Sequence, residues 1–184
     1  MEILEKKKNP KQKVRRPPCT WHGPEPGVIK LNSDGSIRDE LGVAGGGGVA
    51  RKENGFVSAW CRSYQYVTDP LTIEALALRD AVVFATQQGY QKVIFESDCE
   101  ELVRLWKERA SHRSVIAPIL SEIDEIRPSF RWFDLCFAGR TANKVAHACA
   151  KFACEHRINS EWIGSCPDFL RLSLEADCKN LVLK

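Results

Sequence analysis

The order in which the hydrophobic period changes along the chain constrains its fold more than any other feature. Residues 28–35 alternate apolar and polar side chains, which predicts a strand that ends in a turn. Residues 45–64 predict two further strands, joined into an antiparallel hairpin by a turn at 53–55. The four glycines at 45–48 carry no side chains and permit either unusual backbone angles or close approach to another chain.

After the hairpin, the spacing of hydrophobic residues is mainly that of helices, with two more predicted strands between them. Asp69 and Pro70 predict the beginning of a helix that Gly89 ends. The later predicted elements are a strand, two helices, a strand and a helix, at residues 92–98, 99–106, 114–126, 131–139 and 142–156. Thr141 is the expected cap of the last helix. Because the fourth strand follows a crossover helix, we expect it to lie parallel to the first, in a mixed five-stranded α/β sheet with three antiparallel and two parallel strands, flanked by helices.

The chain divides into three parts by composition. Residues 1–27 mix basic residues with prolines and predict a disordered arm. Residues 28–157 hold the predicted elements of one domain, and residues 158–184 predict a tail packed on that domain or extending from it. The first 30 residues carry eight Lys and Arg against three Asp and Glu, whereas the remainder carries nineteen against twenty-one. The basic run is typical of a solvated tether and also of nuclear import or phosphate contact, and both interpretations stay open.

Composition also excludes several classes of protein. Hydrophobic residues make up 43% of the 184 and charged residues 28%, which is typical of a globular chain. No stretch approaches the roughly 18 apolar residues of a membrane span, and the first residues lack the apolar core of a secretory signal. We therefore expect an intracellular monomer without membrane contact, nuclear or cytoplasmic, with the basic run favouring the nucleus. The eight cysteines favour free thiols; a zinc site is the alternative, but the closest pair, Cys149 and Cys154, stands alone.

Three acidic residues stand where their charges need a partner. Asp34 and Asp98 each close a predicted strand, and because those strands are expected to be parallel neighbours, the two carboxylates would lie side by side. Glu74 lies on the apolar face of the first helix, where an unpaired carboxylate costs free energy. A divalent cation relieves such repulsion, and Mg²⁺ prefers a few carboxylate ligands with waters retained. Each residue alone has a plainer interpretation, the aspartates as turn or helix caps and Glu74 as an edge residue with its carboxylate in solvent.

Five motifs, in order along the chain, resemble the ribonuclease H family. The motifs are NSDGS, GGGGVARKENG, IEALALRDAV, FESD and GRTANKVAHACAKFA. The sequence is most similar to the plant reverse-transcriptase-like branch of that family, which is related to retrotransposon domains, and the resemblance covers residues 28–157. The tail motif WIGSCPDFL is also similar to that branch.

The resemblance implies a metal-dependent endonuclease that cleaves the RNA strand of RNA/DNA hybrids with two Mg²⁺ ions held by four acidic residues. By motif, three of these acids are Asp34, Glu74 and Asp98. The fourth falls on His147, and the plant branch often carries histidine there. Imidazole can replace a carboxylate as ligand but removes one negative charge, so we expect weaker Mg²⁺ binding, with Mn²⁺ as a substitute, and reduced activity.

The same resemblance implies contacts with the nucleic acid. Asn143 matches a family asparagine that reaches the nucleic acid, and Arg140 is placed to meet phosphate. Gly35 and Ser36, after the first aspartate, would contact the RNA strand. Phe137 stands where the family's ribonucleases carry a mobile histidine and cannot transfer a proton; we expect it to be a core residue of the fifth strand.

Two other functions stay open beside the nuclease. His147 and Phe137 favour a nucleic-acid-binding module of retroelement origin that has lost efficient cleavage. A protein-interaction scaffold is the third hypothesis, for which the mildly acidic domain offers weak support. The presence of all three acids favours the enzyme.

Overall fold

The structure, a computed structural model, describes residues 20–38, 42–111 and 113–179. The strands are β1 (Ile29–Arg38), β2 (Val43–Lys52), β3 (Gly55–Gln65), β4 (Lys92–Ser97), β5 (Trp132–Phe137) and β6 (Ser160–Ile163). The helices are α1 (Pro70–Gln87), α2 (Glu100–Lys107), α3 (Ala117–Ile126), α4 (Lys144–His156) and α5 (Asp168–Lys179). Most of the predicted arm, residues 1–19, lies outside the described residues.

The strands form one mixed sheet in the order β5-β4-β1-β2-β3-β6. As predicted, β1 pairs antiparallel with β2 and parallel with β4, and β4 pairs parallel with β5. The predicted sheet of five strands is one strand short, because β6 pairs antiparallel with β3. A strand of four residues is too short to show a clear period of two, so its sequence did not distinguish it from a packed tail.

The ends of α1 are as predicted, whereas the beginning of α4 is not. The Asp69 carboxylate accepts a hydrogen bond of 2.7 Å from the amide of Thr72, and Gly89 follows the helix with φ of 70°. The N-cap of α4 is Asn143, while Thr141 lies in the turn before it. The helix therefore begins about one half-turn later than predicted, which changes the direction of the side chains at its start.

Glycines let two helices approach the centre of the sheet. A Cβ atom added at Gly47 would lie 2.4 Å from the amide nitrogen of Ala150, and one added at Gly45 would lie 2.3 Å from its carbonyl oxygen. Helix α4 therefore packs against the backbone of β2, so the close approach that the glycines permit is made by a helix of the same chain. On the other face, a Cβ at Gly35 would lie 2.9 Å from Cγ2 of Ile73, so α1 lies similarly close to β1.

The sheet separates two hydrophobic cores. Helices α1, α2 and α3 cover one face, where Leu31 and Phe95 are buried, and α4 and α5 cover the other, where Cys149 and Leu170 are buried. Six cysteines of the described ranges are free thiols. Within those ranges, no helix combines the length and apolarity that crossing a membrane requires.

Packing extends beyond both predicted ends of the domain. Trp21, which the sequence placed in the arm, is buried, and its ring centroid lies 3.7 Å from Cζ of Arg51. At the other end, α5 contributes Leu170 and Leu174 to the core that α4 covers. The folded part of the chain thus begins before residue 28 and continues past residue 157.

Candidate active site

Three carboxylates from separate elements meet at one end of the sheet. Asp34 lies in β1, Asp98 directly follows β4, and Glu74 lies in the second turn of α1. One oxygen from each lies within 4.8 Å of the other two. Because Ser33 of β1 pairs with Ser97 of β4, the two aspartates that follow are neighbours, as the sequence predicted. They line a cleft of about 840 Å³.

The carboxylates raise one another's affinity for protons. Burial, followed by the charges of Asp34 and Asp98, raises the pKa of Glu74 to about 9. Burial is also the main cause that raises the pKa of Asp34 to about 6, opposed by its hydrogen bond with His147. Metal-free protein at neutral pH therefore keeps a proton on Glu74.

One oxygen of this group has no partner that the described residues supply. Glu74 Oε2 is buried and makes no hydrogen bond to any of them. A buried acceptor left unpaired is costly, and a cation at this position would satisfy it. Three carboxylates without sulfur ligands suit a hard divalent ion such as Mg²⁺ or Mn²⁺. The residues present therefore fit a divalent cation.

His147 reaches the site through Asp34. Its Nδ1 lies 2.7 Å from Asp34 Oδ2, and the side chain is 63% exposed. The hydrogen bond with Asp34, more than any other interaction, raises the pKa of the imidazole. The glycines of β2 permit this contact, since they allow α4 to lie against the sheet. His147, the predicted fourth ligand, is thus at the site and hydrogen-bonded to Asp34. It does not belong to the group of three clustered carboxylate oxygens.

Arg140 and Gly35 lie at the site, whereas Ser36 does not line the cleft. The Arg140 side chain is 93% exposed, with Nε 3.8 Å from Asp98 Oδ2, so it is available to solvent and to ligands. The backbone of Gly35 hydrogen-bonds to the carboxylate of Glu74. The Ser36 hydroxyl instead contacts the thiol of Cys154 on α4.

Asn143 is buried, and its amide donates to the Ser33 carbonyl at 3.0 Å and to Asp98 Oδ1 at 3.3 Å. Its contact with nucleic acid stays a prediction. The prediction for Phe137, in contrast, is wrong. Phe137, predicted as a core residue, is the last residue of β5 and is 45% exposed, because no described element covers the end of this edge strand.

Lys144, which was not predicted as a site residue, is exposed at the start of α4 and lines the cleft with Arg140. Glu101 of α2 also lines the cleft and is exposed. The available signal was the position of Lys144 within the last motif, three residues before His147, because residues three and four apart share one face of a helix.

Residues 32–153 match the model of a family described as reverse transcriptase-like. No curated protein matches the sequence significantly. The family match contains all three carboxylates and His147, together with the strands and helices that hold them.

Solved ribonuclease H structures share the architecture. RNase H1 from Halobacterium salinarum NRC-1 matches with a TM-score of 0.64 and 20% identity, over 70% of this chain and 98% of its own. LC11-RNase H1 in complex with an RNA/DNA hybrid matches with a TM-score of 0.63 and 20% identity, over the same shares of both chains. The N-terminal RNase H domain of a Mycobacterium tuberculosis protein matches with a TM-score of 0.62 and 16% identity, over 70% and 94%. Since the family match covers well over half of its length, the chain belongs to the reverse transcriptase-like family and has an RNase H-like fold.

Proposed function

We propose that this protein is a metal-dependent endonuclease that hydrolyses the RNA strand of RNA/DNA hybrids. The observation that carries the proposal is the group of three carboxylates, in which Glu74 Oε2 is buried without a partner among the described residues. The group lies in an open cleft of an RNase H-like fold, and one RNase H1 of this fold is solved with an RNA/DNA hybrid. A site of this kind suits phosphodiester hydrolysis, because divalent ions offset the charge of the reacting phosphate.

The residues of the site have distinct tasks in this proposal. Asp34, Glu74 and Asp98 would hold Mg²⁺ or Mn²⁺, and Glu74 must release the proton that its surroundings favour before it can bind. Bound ions would supply an activated water and stabilise the departing 3′ oxygen. His147 Nδ1 holds Asp34 Oδ2 in place and leaves Nε2 of an exposed ring for a ligand or a proton. Arg140, beside Asp98 and exposed, would contact a substrate phosphate.

The second candidate is a nucleic-acid-binding module with weakened cleavage. The observation that favours it is His147, which stands in place of a fourth carboxylate and reduces the negative charge available to cations. In this case the cleft would bind the hybrid through its cationic residues and turn it over slowly.

The two functions are separated by cleavage of a labelled RNA/DNA hybrid in Mg²⁺ and in Mn²⁺. We expect the wild type to cleave the RNA strand, Asp34→Asn to abolish cleavage, and His147→Ala to reduce it with a stronger dependence on Mn²⁺. Asp168→Asn, an exposed residue of α5, is the matched control and should cleave like the wild type.

The outcome in which the wild type binds the hybrid in a salt-dependent manner, but cleaves with neither ion, supports the binding module instead. Cleavage that survives Asp34→Asn rejects the proposed site. Absence of both binding and cleavage rejects both functions and leaves the scaffold.

A further inference from the structure

A buried polar network lies between the sheet and helices α4 and α5. Arg51 of β2 is 1% exposed, and its guanidinium donates to Asp177 Oδ2 of α5 at 2.6 Å and to Asn32 Oδ1 of β1 at 2.8 Å. The ring of Trp21 covers the guanidinium. A fully buried arginine requires such partners, because an unpaired buried charge is strongly destabilising.

The network continues without a break to the candidate active site. Asn32 Nδ2 donates to Asn143 Oδ1 at 3.1 Å, and Asn143 Nδ2 donates to Asp98 Oδ1 at 3.3 Å. The remaining hydrogens of the two amide groups bind Glu96 and the Ser33 carbonyl. Four hydrogen bonds therefore connect α5 to one of the three clustered carboxylates.

The chemistry of the groups gives this chain of hydrogen bonds a single direction. Arginine only donates, so Asn32 must turn its oxygen towards Arg51 and its NH₂ towards Asn143. Asn143 must then present its oxygen to Asn32 and its NH₂ to Asp98. The series ends at Asp98 Oδ1, which accepts from the Asn143 NH₂. The orientation of the arginine, together with the acceptors on Glu96 and Ser33, thus sets which group Asp98 meets.

Asp177 fixes that orientation from outside the matched part of the chain. The family match ends at residue 153, whereas α5 spans Asp168–Lys179. Asp177 is buried and is the carboxylate that balances the charge of Arg51. A neutral residue at this position would weaken the hold on Arg51 and so loosen one of the contacts that orient the two asparagine amides.

We propose that Asp177 is a positioning residue for the candidate metal site, acting through Arg51, Asn32 and Asn143 on the Asp98 carboxylate. The inference rests on the proposed function in so far as Asp98 holds a metal ion. Groups that hydrogen-bond to metal ligands set their direction, and their loss weakens metal binding roughly tenfold or more. Helix α5 is then part of the working site and not a passive tail.

The test measures Mn²⁺ affinity by calorimetry, in the full-length protein and well below its melting temperature, and separately measures kcat and KM on the hybrid. We expect Asp177→Asn to weaken Mn²⁺ binding about tenfold and to lower kcat, with KM unchanged, because Asp177 is buried away from the cleft. Asp177→Glu, which keeps the charge, should return most of the affinity. Asp168→Asn is the matched control on the same helix, where its side chain is 91% exposed.

A second variant decides the question if Asp177→Asn does not fold. Asn32→Asp keeps an acceptor for Arg51 but cannot donate to Asn143, so it interrupts the chain of hydrogen bonds at its centre. Weakened Mn²⁺ binding in this folded variant supports the proposal.

The inference is overturned if Asp177→Asn has the Mn²⁺ affinity and kcat of the wild type, even if its melting temperature falls. If Asp177→Asn does not fold, the same result for Asn32→Asp overturns it. Failure of the proposed function looks different: the wild type binds Mn²⁺ but does not cleave the hybrid, and the affinities of the variants still decide the role of Asp177. A wild type that binds no Mn²⁺ overturns both proposals.

Discussion

Substitution of Glu74 by glutamine separates the effect of the buried carboxyl group on the free energy of unfolding from its role in binding cations. Burial and the charges of Asp34 and Asp98 raise the pKa of Glu74 from 4.5 to about 9. Between these values the folded protein keeps a proton that the unfolded chain releases. Without metal, the free energy of unfolding therefore falls as the pH rises through this window. Glutamine has no proton to lose, so Glu74→Gln lacks this part of the pH dependence.

The size of the effect follows from the pKa difference. Each unit corresponds to about 1.4 kcal/mol, so ionisation of Glu74 in the unfolded chain by about pH 8 lowers the free energy of unfolding by at most about 5 kcal/mol. The backbone of Gly35 donates to the carboxylate and the cleft is open to water, so we expect about half of that, roughly 2–3 kcal/mol. At about pH 5 the difference between the two proteins should be small, since this pH is close to the unfolded-chain pKa of 4.5 and little of the window has been crossed.

The assay is urea unfolding followed by tryptophan fluorescence, in a chelator, at several pH values from about 5 to 8. Near pH 8 Glu74→Gln should be more stable than the wild type, and saturating Mn²⁺ should stabilise the wild type much more than the variant. Glu101→Gln, at an exposed position of the same cleft, is the control and should leave both measurements unchanged. A variant less stable than the wild type at pH 8 in chelator, or equally stabilised by Mn²⁺, refutes this account of the site.

Three further predictions concern the cations, the substrate and the packing. His147→Asp adds a carboxylate beside the other acids and should lower the Mg²⁺ concentration for half-maximal cleavage about tenfold; an unchanged Mg²⁺ requirement contradicts this. Lys144→Ala should weaken hybrid binding and reduce the salt dependence of log K by about 1, measured by fluorescence anisotropy, whereas the exposed Lys92→Ala should not. Gly47→Ala places a methyl group against the backbone of α4 and should cost about 3 kcal/mol in urea unfolding, whereas Gly23→Ala meets its neighbours at ordinary distances and should be nearly neutral.

The parts of the fold that follow from local patterns were predictable from sequence. The parallel pairing of β1 and β4 followed from a crossover helix, and this pairing predicts that Asp34 lies beside Asp98. The glycines of β2 permitted a close neighbour, although they did not indicate that the neighbour is α4. In these cases the signal lies within a few residues, where periodicity and chain connectivity are sufficient.

The rest depends on contacts between distant residues or on small shifts of an element. The sequence did not indicate the contacts of Asn143 within the chain, where its amide donates to the Ser33 carbonyl and to Asp98. Arg51 has the appearance of an exposed strand residue, and nothing near it in sequence reveals that its partner is Asp177, 126 residues away. A buried ion pair of this kind has no local periodicity, so only the folded chain identifies it.

The energetics of the metal-free site bear on which of the three functions this chain performs. Glu74 has a buried oxygen without a partner among the described residues, and its ionisation opposes folding at neutral and alkaline pH. A protein-interaction scaffold gains nothing from such a residue, since glutamine would fill the same space without the cost. In a site that binds divalent cations, binding restores the lost free energy of unfolding, because the cation compensates the negative charges that raise the pKa of Glu74. The same applies to Asp34, whose pKa is raised by burial and by Asp98. The proposed cation site therefore accounts for the carboxylates better than a scaffold does.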